Sequence, residues 1–84
     1  MPRDPLNIVG PQVRRLRCER GFSQPVLAAK CQLLGWDVSR DTIAKIEGRR
    51  RWAGYGELVF LARSLGVALD ALFPAAVRRA LRAK

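Results

Sequence analysis

Sixteen lysines and arginines stand against seven aspartates and glutamates in this 84-residue chain, and there is no histidine. The side chains able to do chemistry are therefore mostly hydrogen-bond donors of fixed positive charge. Most of them are arginines, whose planar fork matches a phosphate or the O6/N7 edge of guanine. A net charge of +9 on so small a chain makes a polyanion the expected partner. Enzymatic chemistry has little to work with. Glu19, Glu47 and Glu57 fall in separate helical segments, and neither a nucleophile elbow nor a glycine-rich phosphate loop is present. Cys18 and Cys31 have no histidine to join them, so no metal site and no cofactor is expected. Cys31 follows Leu27 by four positions on an apolar helical stripe and reads as a small core residue.

Two polar clusters concentrate the useful groups. The first is Ser39-Arg40-Asp41-Thr42, with Lys45 sharing a helical face with Asp41 and Thr42. Its apolar residues, Ile43 and Ile46, come later, which leaves the first turn open to base edges. Arg40 can pair with guanine, Asp41 can accept from cytosine, and Thr42 can bond a base or touch a thymine methyl. The second cluster is Arg49-Arg50-Arg51, a concentration of charge beside that helix suited to backbone phosphates. Trp52 and Tyr55, just beyond it, are expected to pack over the following helix.

The elements that must position these groups are all helices. A helix-forming segment runs three times into glycine and an apolar residue: Gly21-Phe22, Gly35-Trp36 and Gly66-Val67. Glycine tolerates the left-handed conformation that stops a helix, and the next apolar side chain folds back onto the last turn. The first helix is predicted from Gly10-Pro11 to about Arg20, showing Val13, Leu16 and Arg17 on one side. The second follows the cap Ser23, with Leu27, Cys31 and Leu34 turned inward. The third follows the cap Ser39 and ends at Glu47-Gly48. The fourth spans about Tyr55 to Leu65 on Leu58, Leu61, Ala62 and Leu65, and a fifth segment runs from Leu69 to Phe73. Strand-like alternation is absent. Trp36 is expected over the core, because it follows a stopping glycine.

The predicted division is an N-terminal arm over 1–9, one domain over 10–73, and a basic tail over 74–84. Val77 and Leu81 suggest a short helix in that tail, either a surface helix or a dimer or phosphate contact. No apolar run approaches the roughly 20 residues of a bilayer span. The N-terminal residues lack the apolar stretch of a secretory signal, so the expected location is cytoplasmic, on the nucleoid when bound to DNA.

Helix, short turn, helix is the layout that lays one helix in a major groove while its predecessor braces it. At this point the sequence resembles the Cro and phage-repressor type of helix-turn-helix regulator. The matching residues are Val13 to Arg17, Gly21-Phe22-Ser23-Gln24, Leu27-Ala28, Val38 to Gly48, Leu58, Leu61-Ala62, Leu65-Gly66-Val67 and Leu69 to Phe73. The resemblance implies an all-α, five-helix lambda-repressor-like domain with helices 2 and 3 as the motif. It implies base contacts from Ser39, Arg40, Asp41, Thr42 and Lys45, and phosphate contacts from Gln24, Arg49, Arg50 and Arg51. It also implies a structural ion pair between Arg17 and Glu47. The chain departs from the pattern in two places. Ser39 lies twelve positions after Leu27, a wider spacing than usual, and Gly48 follows Glu47 directly.

The function implied is that of a sequence-specific, double-stranded DNA-binding transcriptional regulator, a repressor and a homodimer, without a small-molecule ligand or a membrane. Two rivals stand beside it. One is an antitoxin-like protein-interaction module with DNA binding secondary. The other is RNA binding, which usually needs exposed aromatic residues to stack bases.

Overall fold

Four helix ends close on the same pair of backbone hydrogen bonds. At the first, Gly21 N–H donates to Cys18 and Phe22 N–H to Arg17, and Gly21 takes the left-handed conformation at φ 76°. Gly35-Trp36 and Gly66-Val67 repeat the pattern, with φ 115° and 72°. Phe22, Trp36 and Val67 then pack against the core, as the glycine-apolar pairs predict. At the fourth, after the third helix, Arg49 N–H donates to Ile46 and Arg50 N–H to Lys45. Here the left-handed residue is Arg49, at φ 63°, while Gly48 has φ −84°. The helix ends at Glu47-Gly48 as expected, but the left-handed position falls one residue later, on a side chain that is strained there.

In this computed structural model, which describes residues 8–83, those ends delimit α1 (Gly10–Glu19), α2 (Gln24–Leu34), α3 (Arg40–Glu47) and α4 (Tyr55–Leu65). A 3-10 turn, Leu69–Leu72, follows, and then α5 (Ala75–Arg82). There is no strand among the described residues. The fifth expected segment is the 3-10 turn, and the tail adds a regular helix. Phe73 is extended at ψ 154° ahead of Pro74, as a residue before proline prefers. Most of the predicted N-terminal arm, residues 1–7, lies outside the described residues, as does residue 84. Among the described residues no helix is long and apolar enough to cross a membrane.

The starts of the motif helices are capped as their sequences predict. Ser23 and Ser39 are extended, and each hydroxyl accepts from the amide three residues on, Val26 and Thr42. The core they enclose is Val13, Leu16, Leu27, Cys31, Val38, Ile43, Leu61, Leu65 and Leu72, all buried. Each large aliphatic side chain among them contributes roughly 1.5–3 kcal/mol by leaving water.

Leu34 does not turn inward; it is 42% exposed at the last position of α2. The chain reverses at Gly35, and Trp36 packs instead, stacked on Phe60 with ring centroids 6.1 Å apart. The wide spacing of the motif is thus absorbed by Trp36 and the buried Val38, and Gln32 Nε2 donates to Val38 O at 2.7 Å to fix the turn. Trp52 and Tyr55 do not pack over α4 either. They are 65% and 75% exposed.

One close approach decides how α1 meets α3. A Cβ on Gly10 would lie 2.3 Å from Ile46 O and 2.9 Å from Glu47 O. Only glycine lets the start of α1 sit on the last turn of α3.

Candidate nucleic-acid interface

The two sides of α3 are sharply divided. Ile43, Ile46 and Glu47 are buried, whereas Arg40, Asp41, Lys45 and Gly48 are exposed. Asp41, Lys45 and Gly48 follow at i, i+4 and i+7 and so form one outward row. Arg40 starts the helix with its side chain in solvent. Lys45 Nζ lies 3.3 Å from Asp41 Oδ2, a surface pair of little energetic consequence. Ser39 is engaged in capping, and its hydroxyl also donates to Thr42 Oγ1 at 3.2 Å, so these two groups are held at the helix start. All five residues expected at bases therefore sit on the first two turns of one helix.

A buried polar brace holds that helix against its predecessors. Arg17 Nε donates to Glu47 Oε2 at 2.6 Å and Nη2 to Oε1 at 3.0 Å, while Nη1 donates to Phe22 O at 2.8 Å. Glu47's hydrogen bonds, ahead of the opposing effect of burial, raise the Arg17 pKa further above its already high value. The expected ion pair is present. Gln24 joins it, its Nε2 donating to Glu47 Oε1 at 3.0 Å. The start of α2 is thereby tied to the end of α3.

Beside this brace is a shallow hollow lined by Arg14, Gln24, Ala44, Glu47 and Gly48. Arg14 is exposed and was not among the expected site residues. Its signal was present: it precedes Arg17 by three positions, so it shares the α1 face that meets α3.

The arginines after α3 divide into two kinds. Arg49 and Arg50 are exposed, and Arg50 Nε would lie 3.4 Å from a Cβ on Gly48. The Arg50 guanidinium thus lies along the end of α3, at ordinary contact distance from position 48. Arg51 instead turns to α4, its Nη1 and Nη2 donating to Glu57 Oε1 and Oε2 at 2.9 and 3.2 Å. Glu57 also accepts from Gly54 N–H at 3.1 Å, so one carboxylate closes the loop and starts the next helix. The Arg51 hydrogen bond holds that carboxyl below the usual glutamate range.

What this arrangement can do is present donors. Arg40 and Lys45 lie exposed on α3, with Arg14 and Arg50 near its C-terminal end and Arg49 beside the start of α1. Among the described residues, no group of three or more His, Cys, Asp or Glu could hold a metal ion.

No protein-family model matches the chain, and no curated protein matches it either. Solved structures do. The restriction-modification controller protein C.AhdI from Aeromonas hydrophila shares 26% identity at TM-score 0.71, over 81% of this chain and 96% of that one. A hypothetical transcription factor NHTF from Neisseria shares 26% at TM-score 0.74, over 93% and 85%. The clp gene regulator ClgR from C. glutamicum has the same fold at TM-score 0.72 and 20% identity, over 95% and 97%. With α2 and α3 as the motif and Arg17–Glu47 locking it, the chain has the fold of these helix-turn-helix regulators and is similar to them.

Proposed function

We propose that this chain is a sequence-specific, double-stranded DNA-binding transcriptional regulator that represses as a homodimer. One observation carries the reading: α3 exposes Arg40, Asp41 and Lys45 while its other side is locked by the Arg17–Glu47–Gln24 brace. In this reading α3 enters the major groove, where Ser39, Arg40, Asp41, Thr42 and Lys45 meet base edges. Arg49 and Arg50 grip phosphates and Arg14 joins them, while Gln24, whose Nε2 already donates to Glu47, offers a phosphate its second amide hydrogen. Arg51 serves the grip by positioning the loop through Glu57. The controller and transcription-factor roles of the two structures at 26% identity support the same class. They also support a cytoplasmic, DNA-associated binding module that is not an enzyme.

The dimer is supported by an apolar hollow of about 430 Å³ between α4, the 3-10 turn and α5, lined by Tyr55, Leu58, Leu69, Asp70, Phe73 and Leu81. Tyr55 and Leu81 are 75% and 59% exposed around it. α5 is held to the rest by Arg82, which pairs with Asp70. An isologous contact here covers both copies at once.

Selection of the purified protein on randomised duplex DNA tests the reading. A two-fold symmetric motif in the bound pool is expected, and a pool without enrichment would overturn it. The exposed Trp52 and Tyr55 support a second reading, single-stranded RNA binding by base stacking. Direct competition of single strand against duplex separates the two, the first reading requiring the duplex to win.

A further inference from the structure

The residues that widen the motif also leave the most exposed aliphatic side chain of the described chain, Leu33, at 88%. Leu34, next to it, is 42% exposed, and Val26, two turns earlier on α2, is also 42% exposed. Leu33 and Leu34 form one wall of a cleft of about 230 Å³ between α2 and α4, completed by Lys30, Arg63 and Ser64. The floor is tied to the core: Ser64 Oγ lies 3.3 Å from Sγ of the buried Cys31. Lys30 is held in place as well, its ammonium 4.7 Å from the centre of the Phe22 ring. None of the five lining residues is acidic.

We infer that this cleft docks a partner protein through an amphipathic, acidic helix, with apolar side chains between Leu33, Leu34 and Ser64 and carboxylates on Lys30 and Arg63. Charge complementarity selects this occupant. A second copy of the chain, meeting on a two-fold axis through this cleft, would bring Lys30 and Arg63 of both copies together with no carboxylate in the lining to offset them. Nucleic acid is disfavoured by two exposed leucines at the centre, which offer nothing to phosphates. The cleft lies at the α2–α4 seam and takes no lining residue from α3 or the loop after it, so DNA and the partner are expected to bind together. The inference adds a protein contact to the proposed regulator and rests on that reading only for its biological setting.

The test uses a synthetic amphipathic peptide about 18 residues long, leucines on one face and glutamates flanking it. Two control peptides replace the leucines by serine or the glutamates by lysine. Amide shifts of the full chain are followed free and with an excess of random-sequence duplex, whose own binding is read separately by anisotropy. The glutamate peptide is expected to shift Lys30, Leu33, Leu34, Arg63 and Ser64, in both states, and neither control to do so. Leu33→Ser, at a site too exposed to affect folding, is expected to weaken it about tenfold or more. Lys30→Glu with Arg63→Glu is expected to transfer the preference to the lysine peptide. Shifts falling instead on Arg40, Arg49 and Arg50, equal binding by either control, no shifts at all, or an indifferent Leu33→Ser would each overturn the inference. Failure of the duplex anisotropy alone overturns the DNA-binding reading and leaves the peptide result on the free chain standing.

Discussion

Arg17 and Glu47, thirty positions apart, meet fork to fork with nitrogen–oxygen distances of 2.6 and 3.0 Å, their side chains 11% and 3% exposed. The pair clamps α1 to the end of α3 and, through Gln24, reaches the start of α2. Burial makes it asymmetric. Breaking it leaves an uncompensated charge in the interior, whereas replacing both partners by apolar residues removes the desolvation cost too. Glu47→Ala is expected to cost about 3–5 kcal/mol in urea denaturation, and Arg17→Met with Glu47→Leu close to nothing. Equal losses for the single and double replacements would show that the charge pairing is not what the site supplies.

Arg49 occupies a left-handed position that glycine fills at the three other helix ends with this pattern. The strain costs about 1 kcal/mol. Arg49→Gly is therefore expected to stabilise the fold, raising the Tm by about 4–8 °C. The same substitution removes a cation from the loop after α3, so duplex affinity is expected to fall. A variant both less stable and unchanged in binding would show that neither the strain nor the charge acts as argued.

Readout and grip are separable by their salt dependence. Arg40→Ala is expected to cost about 1–3 kcal/mol on the preferred site and to relax one base position. Arg50→Ala is expected to weaken all duplexes alike, reducing the log–log salt slope by ~0.9 for its lost phosphate. Anisotropy titrations over a salt series, on selected and scrambled duplexes, measure both. If the two variants behave alike, the division between α3 and its loop is wrong.

Glu57 ties Arg51 and the Gly54 N–H, and its pKa is lowered mainly by the Arg51 hydrogen bond. A carboxyl with a folded pKa below its unfolded value stabilises the fold in its ionised state. That contribution is complete above the ordinary value of 4.5 and is lost as the pH falls through the folded value. Glu57→Gln is expected to lower stability by about 1 kcal/mol at neutral pH, discounted for partial exposure. The gap from the parent protein should close as the pH drops below 4.5. Thermal melts across that range check the sign, and a gap widening toward acid would reverse the assignment.

What the sequence by itself determined is what lies within one helical turn of its cause. Ser23 and Ser39 cap amides three residues on, and Gly21, Gly35 and Gly66 each close bonds reaching back no more than five. Such geometry is set by the local chain, so the helices and the polar first turn of α3 are legible from residue types. The Arg17–Glu47 pair was legible only through the resemblance, since nothing local joins two residues thirty positions apart. Tertiary structure decided the rest. It sent Arg51 to Glu57 instead of outward, drew Gln24 onto Glu47, and left Leu34, Trp52 and Tyr55 in solvent. It also demanded glycine at position 10, where α1 touches the carbonyls of α3. Each outcome depends on how helices cross and on which groups that crossing brings within hydrogen-bond reach of one another. Those relations belong to packing, and no spacing along the chain encodes them.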